Sequence, residues 1–512
     1  MATANPQLLR KLGDIEHFSS SRHHLGIYRC VTVCARHLHP PSSPSSSHLA
    51  GTSPSPAFLA ALAHVVSHQP MLRVGIAGDD TNSAHFTHVP SVDLRHHVSV
   101  IAVPCRSVQE YEDRVALQQG WEHDQKYADL AERPPWRITI LRPSSDVPEL
   151  QNIEDVFFAF HHSLMDGTSG RLFHEMLLAA PSYQGTSPAP AEAQPVLAFP
   201  DPPSLPEAQE KAVNFTLSVS YTLRTLWNEL GPSFLRPPKQ PVWNAIPINL
   251  SLPYKTRVKA IDLSPEQLTT LLSACRSHSV TVTALLHALV LASLAKRIPS
   301  PSTAPAFAAA TPVSLRPYLS PTSNPAHASS LRCLVAGCTH TFSPDAVSAL
   351  RAPGADTTAL IWKNAQHVKA ELAKKLGALP KDDIMGLLKF IGDWFAFWRG
   401  RDGKQRADSW EISNIGVLKN PRPQPDAQPD AQGGSEAKRE AGVPRATRLL
   451  FTNGAMAAGP PIGLNVATVA GSKLTIALSW QDSVVEDELM EQLAGDLASY
   501  AAKLQETGDA FV

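Results

Sequence analysis

The stretch 156–167 constrains this chain more than any other. Val156, Phe157, Phe158, Ala159 and Phe160 form a bulky apolar run that breaks into His161, His162, Ser163, Leu164, Met165, Asp166 and Gly167. So short a run suits a buried strand without excluding helix. Beyond it, Leu172 and Met176 are spaced by four, as are Phe173 and Leu177, which predicts a helix from Thr168 onward. A strand feeding a polar turn and then a helix is an α/β arrangement.

The same mixture recurs along the chain. Residues 30–35 and 136–141 read as strands, and Leu474, Ile476, Leu478 and Trp480 alternate with smaller or polar residues as in a half-buried strand. Ser204 stands before Pro206 and Glu207 with capping-box spacing. Ser264 precedes Pro265 at the first helical position and Gln267 at the third, and Leu268, Leu271, Leu272 and Cys275 then share a face. Residues 280–297 form a longer apolar helix candidate, and Leu489, Leu493, Leu497, Tyr500 and Leu504 make a stripe at helical spacing. Neither G-x-G-x-x-G nor G-x-x-x-x-G-K occurs, so the sequence gives no basis for a dinucleotide site or a P-loop.

With 512 residues the chain exceeds the about 250–300 at which one hydrophobic core stops growing. Two halves are expected, 1–240 and 241–512. Proline reaches 45, where average usage of about 5% would give about 26. Much of it lies in three predicted loops or insertions, 39–56, 181–206 and 420–445. Lys plus Arg number 45 and Asp plus Glu 46, so no overall field attracts nucleic acid. Six cysteines without a C-x-x-C pair suggest neither a disulfide framework nor a zinc site, and point to a reducing, cytoplasmic setting. No apolar run approaches 18 residues, so no transmembrane segment is expected, and the first residues lack a secretory apolar region.

The chemistry-bearing residues are in the first stretch. A histidine at a strand end is fixed by the sheet yet open to a cleft, and its ordinary pKa of about 6.5 lets it accept a proton at neutral pH. Asp166 could fix the loop or the ring, and Gly167 could allow a backbone geometry that a Cβ would resist. On pattern alone, catalysis and plain core packing stand level. A metal site stands behind both, because no second His or Cys cluster has ligand spacing.

The segment His161-His162-x-x-x-Asp166-Gly167 resembles the signature of the chloramphenicol-acetyltransferase-like superfamily. That superfamily takes in plant BAHD acyltransferases, nonribosomal peptide condensation domains and fungal alcohol acetyltransferases, and the chain looks most like the last. Further likeness lies in Arg10-Lys11-Leu12-Gly13, in Glu16, and in Arg22 with Leu25-Gly26-Ile27-Tyr28. Pro135-Trp136-Arg137, Thr311-Pro312-Val313-Ser314-Leu315-Arg316-Pro317 and Ser413-Asn414-Ile415-Gly416 extend it over nearly the whole chain.

The resemblance implies two α/β domains, each a mixed β-sheet flanked by helices, with an active-site tunnel between them. It implies an acyltransferase that moves an acetyl or other acyl group from coenzyme A to a hydroxyl of a small alcohol or fungal secondary metabolite. His162 would be the general base, with no covalent acyl-enzyme, no bound cofactor and no metal. Asp166 would be structural, paired with an arginine; Arg22 is the first candidate and Arg316 the second. His161 would pack or orient, its ring on the opposite side from that of His162 if the backbone is extended. Ser413 and Asn414 would shape the tunnel, orient the oxyanion or simply form a turn, and 452–454 reads as a loop. Phe390, Trp394, Phe395, Phe397 and Trp398 read as a core helix that could also line an acceptor pocket. A monomer is expected, with peripheral contact to the endoplasmic reticulum or lipid droplets left open. Three alternatives stand beside this reading: a carrier-protein-bound acyl donor, an amine acceptor, and a non-catalytic ligand-binding member of the fold.

Overall fold

The computed structural model describes residues 6–40, 51–187, 194–230, 240–299, 305–421 and 443–512. Parts of the three Pro-rich insertions, residues 41–50, 188–193 and 422–442, lie outside the described residues.

The strand Ile153–Phe160 is buried at every position. It pairs antiparallel with Val31–Leu38 on one side and Trp136–Ser144 on the other. Val98–Pro104 adds in parallel, and Arg445–Asn453 closes the other edge, giving a mixed five-stranded sheet. Both faces are covered, which is why the apolar run shows no alternation. Phe158 and Phe160 face the helix Gly167–Ala179, where Phe158 stacks on Phe173 at 3.7 Å. Phe157 and Cys34 face Tyr111 and Val115 of the helix Val108–Asp124.

A second mixed sheet has six strands, in the order Thr256–Leu263, Leu474–Gln481, Ile462–Val469, Trp410–Leu418, Phe307–Ser314 and Val335–Phe342. The helices Pro265–Ser277, Val282–Arg297, Thr357–Ala378 and Asp487–Thr507 build one core against it. Ser264 caps the first of these as its sequence predicts: its hydroxyl accepts from the Gln267 N–H at 3.2 Å, and Gln267 Oε1 accepts from the Ser264 N–H at 3.0 Å. The chain is thus an α/β protein of two mixed sheets flanked by helices.

The two sheets are joined by exchange. Arg445–Asn453 comes from the second half of the chain but pairs with Val31–Leu38, and it also packs against Ile462–Val469 and Leu474–Gln481. Leu449, Phe451, Ile415 and Leu418 thereby enter the core built around Phe158 and Phe160. This explains one departure from expectation. Leu474–Gln481 is buried along its whole length, not half-buried, because the crossing strand covers its second face.

The predicted cap at Ser204 is a second correction. The helix there starts later, at Gln209–Ala212, with Ala208 at its N-cap position. Arg10 Nε donates to the Pro206 carbonyl at 3.2 Å and holds the chain extended, while the Ser204 hydroxyl lies 3.4 Å from His327 Nε2. All six cysteines are buried and unpaired. Among the described residues no single helix is long and apolar enough to cross a membrane.

Candidate active site

The chain leaves the first sheet at Phe160, held between Val31 and Trp136, and the His161 N–H donates to the Pro135 carbonyl at 2.9 Å. A tight turn follows, closed by the Leu164 N–H on the His161 carbonyl at 2.9 Å. The Ser163 hydroxyl donates to the Glu16 carbonyl at 2.5 Å, which ties this loop to the helix Asp14–His24.

Within the turn the two histidines are set differently. His162 Nδ1 lies 3.0 Å from the Met165 carbonyl oxygen. A carbonyl only accepts, so Nδ1 carries the proton and the Nε2 lone pair is free. Burial, with Arg22 adding and Asp166 opposing, lowers the His162 pKa to about 4, so the ring is neutral at pH 7. Its surface is only partly covered. His161 is fully buried, and its Nδ1 accepts from the Ser163 N–H at 3.0 Å. Its ring lies 4.5 Å from that of His23, whereas the ring of His162 lies 5.9 Å from Tyr28.

Asp166 caps the helix Gly167–Ala179 and also joins the two halves of the chain. Its Oδ1 accepts from the Ser169 N–H at 2.9 Å and from Arg316 Nη2 at 3.0 Å. Its Oδ2 accepts from the Leu334 N–H at 2.9 Å and from Arg316 Nη1 at 2.8 Å. Burial alone would raise its pKa, but Arg316 and the two backbone donors hold it below the ordinary carboxylate value. Ser169 extends the junction, its hydroxyl donating to the Arg332 carbonyl at 2.9 Å.

The partner is therefore Arg316, the second candidate, and not Arg22. Arg22 lies over the rings of Phe18 at 4.1 Å, Tyr28 at 4.4 Å and Trp398 at 5.7 Å. These aromatic faces hold its guanidinium beside Tyr28, and among the described residues it forms no ion pair with Asp166. The aromatic stretch supports this placement. Trp394 and Trp398 of the short helix Trp394–Arg399 pack edge-on against Phe18 at 5.4 and 4.9 Å.

Gly167 is required for space, not for an unusual φ. A Cβ there would stand 2.8 Å from Ile415 Cγ2 and 2.9 Å from the Phe451 ring. Ile415 belongs to the Ser413-Asn414-Ile415-Gly416 segment, which lies in the strand Trp410–Leu418 and not in a turn. A bulge occurs there, with Gly416 at φ +82°. Alternation along the strand separates the two polar residues. Ser413 shares its face with Glu411 and Ile415. Asn414 faces the helical side, where its Nδ2 donates to Thr283 Oγ1 at 3.2 Å.

The site also holds Glu411, which the sequence did not mark, and gives Tyr28 and Asn453 a place there. The Tyr28 hydroxyl donates to Asn453 Oδ1 at 3.2 Å, and Asn453 Nδ2 donates to Glu411 Oε1 at 3.0 Å. Asn453 ends the strand Arg445–Asn453, so 452–453 is strand and not the expected loop. Burial, with nearby Asp408 adding and Arg22 and Asn453 opposing, pushes the Glu411 carboxyl up to about 7. Asp408 is itself pushed up to about 6 by burial. Among the described residues no group of three or more His, Cys, Asp or Glu is gathered as a metal site.

This arrangement offers a neutral imidazole with one free nitrogen, beside a buried phenol, a guanidinium and a carboxyl, at the junction of two sheets. Comparison with known proteins identifies the family. The alcohol acetyltransferase family model matches residues 125–425. A probable alcohol acetyltransferase of Fusarium pseudograminearum is 27% identical over 518 residues, covering 99% of this chain and 97% of its own. One from Aspergillus fumigatus is 25% identical over 514 residues, covering 96% and 99%. Among solved structures, the trichothecene 15-O-acetyltransferase of Fusarium sporotrichioides superposes with a TM-score of 0.67 at 12% identity, covering 99% of this chain and 100% of that one. The first condensation domain of the CDA synthetase superposes with a TM-score of 0.56 at 14% identity, covering 98% and 97%. The chain is an acyltransferase and belongs to the alcohol acetyltransferase family.

Proposed function

We propose that this enzyme transfers an acetyl group from acetyl-coenzyme A to a hydroxyl of a small alcohol or fungal secondary metabolite, with His162 as general base. In this reading the halves 1–240 and 241–512 enclose a tunnel at whose centre the two substrates meet, in a monomeric cytoplasmic enzyme. The observation that carries it is the His162 Nδ1–H bond to the Met165 carbonyl, which presents a neutral Nε2 lone pair.

The acceptor O–H proton passes to Nε2 as the oxygen attacks the thioester carbonyl. Both substrates are held together, so no covalent acyl-enzyme is needed. The tetrahedral oxyanion needs positive charge nearby, and Arg22, whose charge acts on His162, is the candidate to supply it. Collapse breaks the C–S bond, and the leaving thiolate takes the proton from His162. Asp166 acts only through structure: its four hydrogen bonds hold the loop whose Met165 carbonyl orients the ring.

The test is thiol release from acetyl-coenzyme A across alcohols, phenols and amines. Release that needs an acceptor and falls by about 10²–10⁴ in His162→Ala is expected. Full release by His162→Ala would refute the base. Release only with amines would change the acceptor class. No release with any acceptor, but release from carrier-bound donors, would replace coenzyme A.

A further inference from the structure

We propose that Glu411 is a specificity-determining residue, whose free carboxyl oxygen holds a second hydroxyl of the acceptor while the first is presented to His162. The inference rests on the reading of His162 as the base.

Glu411 reaches the site through a chain of contacts on the page. The Tyr28 ring lies against His162, its hydroxyl donates to Asn453, and Asn453 donates to Glu411 Oε1. Oε1 is thereby fixed, whereas Oε2 has no hydrogen-bond partner among the described residues. The residue is only partly covered.

Arg22 defines the other side. Its charge acts on both His162 and Glu411, yet among the described residues the two side chains form no ion pair. Arg22 itself is covered by aromatic rings, and its Nε is buried, so it tunes the site through its charge and not as an open donor. The unmatched Oε2 fits a hydroxyl, which can donate to it.

The groups facing Glu411 set its state. Asp408 and burial favour the neutral carboxyl, while Arg22 and the Asn453 amide favour the ionised one; Tyr28 stays a neutral phenol, its pKa raised by burial. Either form of the carboxyl can bind a hydroxyl, as acceptor when ionised and as donor or acceptor when neutral.

The experiment measures kcat/KM with acetyl-coenzyme A for cyclohexanol and for 1,2-, 1,3- and 1,4-cyclohexanediol, in wild type, Glu411→Leu and Glu411→Gln. Wild type should prefer one diol, and in Glu411→Leu the diol-to-alcohol ratio should fall about 10- to 100-fold, through KM of the diol and not KM of acetyl-coenzyme A. Glu411→Gln keeps the shape and one polar contact; it should retain part of the preference but lose any change of the ratio between about pH 6 and 8. An unchanged ratio in both variants overturns the proposal, as does a wild type without diol preference.

Two controls separate this from failure of the base. If His162→Ala kept activity, the base would fall while the ratio still reported on Glu411. If no alcohol turned over, the same diols would be compared by the rise they cause in melting temperature. A rise in wild type that Glu411→Leu loses supports the site, and equal or absent rises overturn it.

Discussion

Removing Arg316 leaves Asp166 buried with its charge unmatched. In the native protein the carboxylate accepts two bonds from the guanidinium and two from backbone N–H groups, and its side chain is only 9% exposed. Arg316→Met removes the two charged bonds and keeps much of the side-chain volume. The cost of stranding a buried charge in this way is about 3–5 kcal/mol. Asp166→Asn keeps an acceptor for one backbone donor, but leaves the other N–H or the guanidinium short of a partner, at about 1–3 kcal/mol. Because each variant breaks the same bonds, the double variant should be less destabilised than the sum, with a coupling of at least about 1 kcal/mol.

Urea unfolding measures these terms, and pH adds a second reading. Without Arg316, burial dominates and drives the Asp166 carboxyl upward, so the folded variant binds a proton more readily than wild type. Its penalty should therefore shrink as pH falls from about 8 to about 5. Activity follows the loop: a shift of about 1 Å in the Met165 carbonyl and the His162 ring costs on the order of 10²-fold in kcat, with little effect on KM for acetyl-coenzyme A. The control is Arg22→Met, which should show coupling with Asp166→Asn within about 0.5 kcal/mol of zero. Strong coupling to Arg22, or none to Arg316, would refute the assignment.

Two further outcomes follow from the same geometry. Gly167→Ala drives a methyl into Ile415 and the fully buried Phe451, so it should lower stability by about 1–3 kcal/mol; an unchanged melting temperature would show that the contact yields freely. Burial lowers the pKa of His23, His37 and His123 to about 3, and of His97, His162 and His174 to about 4. The unfolded chain then binds more protons than the folded one as pH falls from about 6.5 to about 4, so urea midpoints should drop steeply across that window while staying nearly level above it.

What the sequence makes visible is what local chemistry decides. The apolar run and the polar turn predict the strand Ile153–Phe160 and the loop after it, because burial on both faces selects such a run. Ser264, Pro265 and Gln267 predict their helix start because a capping box is complete within four residues. Most misreadings, by contrast, involve a partner distant in the chain; the aromatic stretch is an exception, since Asp393 caps a new helix at Trp394 and leaves Phe390 outside it and exposed. Leu474–Gln481 looks half-buried because its own alternation says nothing of Arg445–Asn453 crossing behind it. The choice between Arg22 and Arg316 turns on the tertiary fold alone: both arginines belong to likeness-bearing segments, and both are far from Asp166 in the chain, Arg316 by 150 positions.

Glu411 is the sharpest case. Along the sequence it is one glutamate in a strand of ordinary alternation, and a solvated edge position would look the same. Its character comes from Asp408 beside it, Asn453 at 42 positions' separation, and Arg22 on the first helix. The exchanged strand Arg445–Asn453 delivers Asn453 to that place, where it links Glu411 to Tyr28, the ring beside His162. A residue whose chemistry is made largely by long-range neighbours is found only after the fold is known. The diol-to-alcohol ratio in Glu411→Leu therefore tests more than one side chain: it asks whether the exchanged strand shapes acceptor choice as well as holding the halves together.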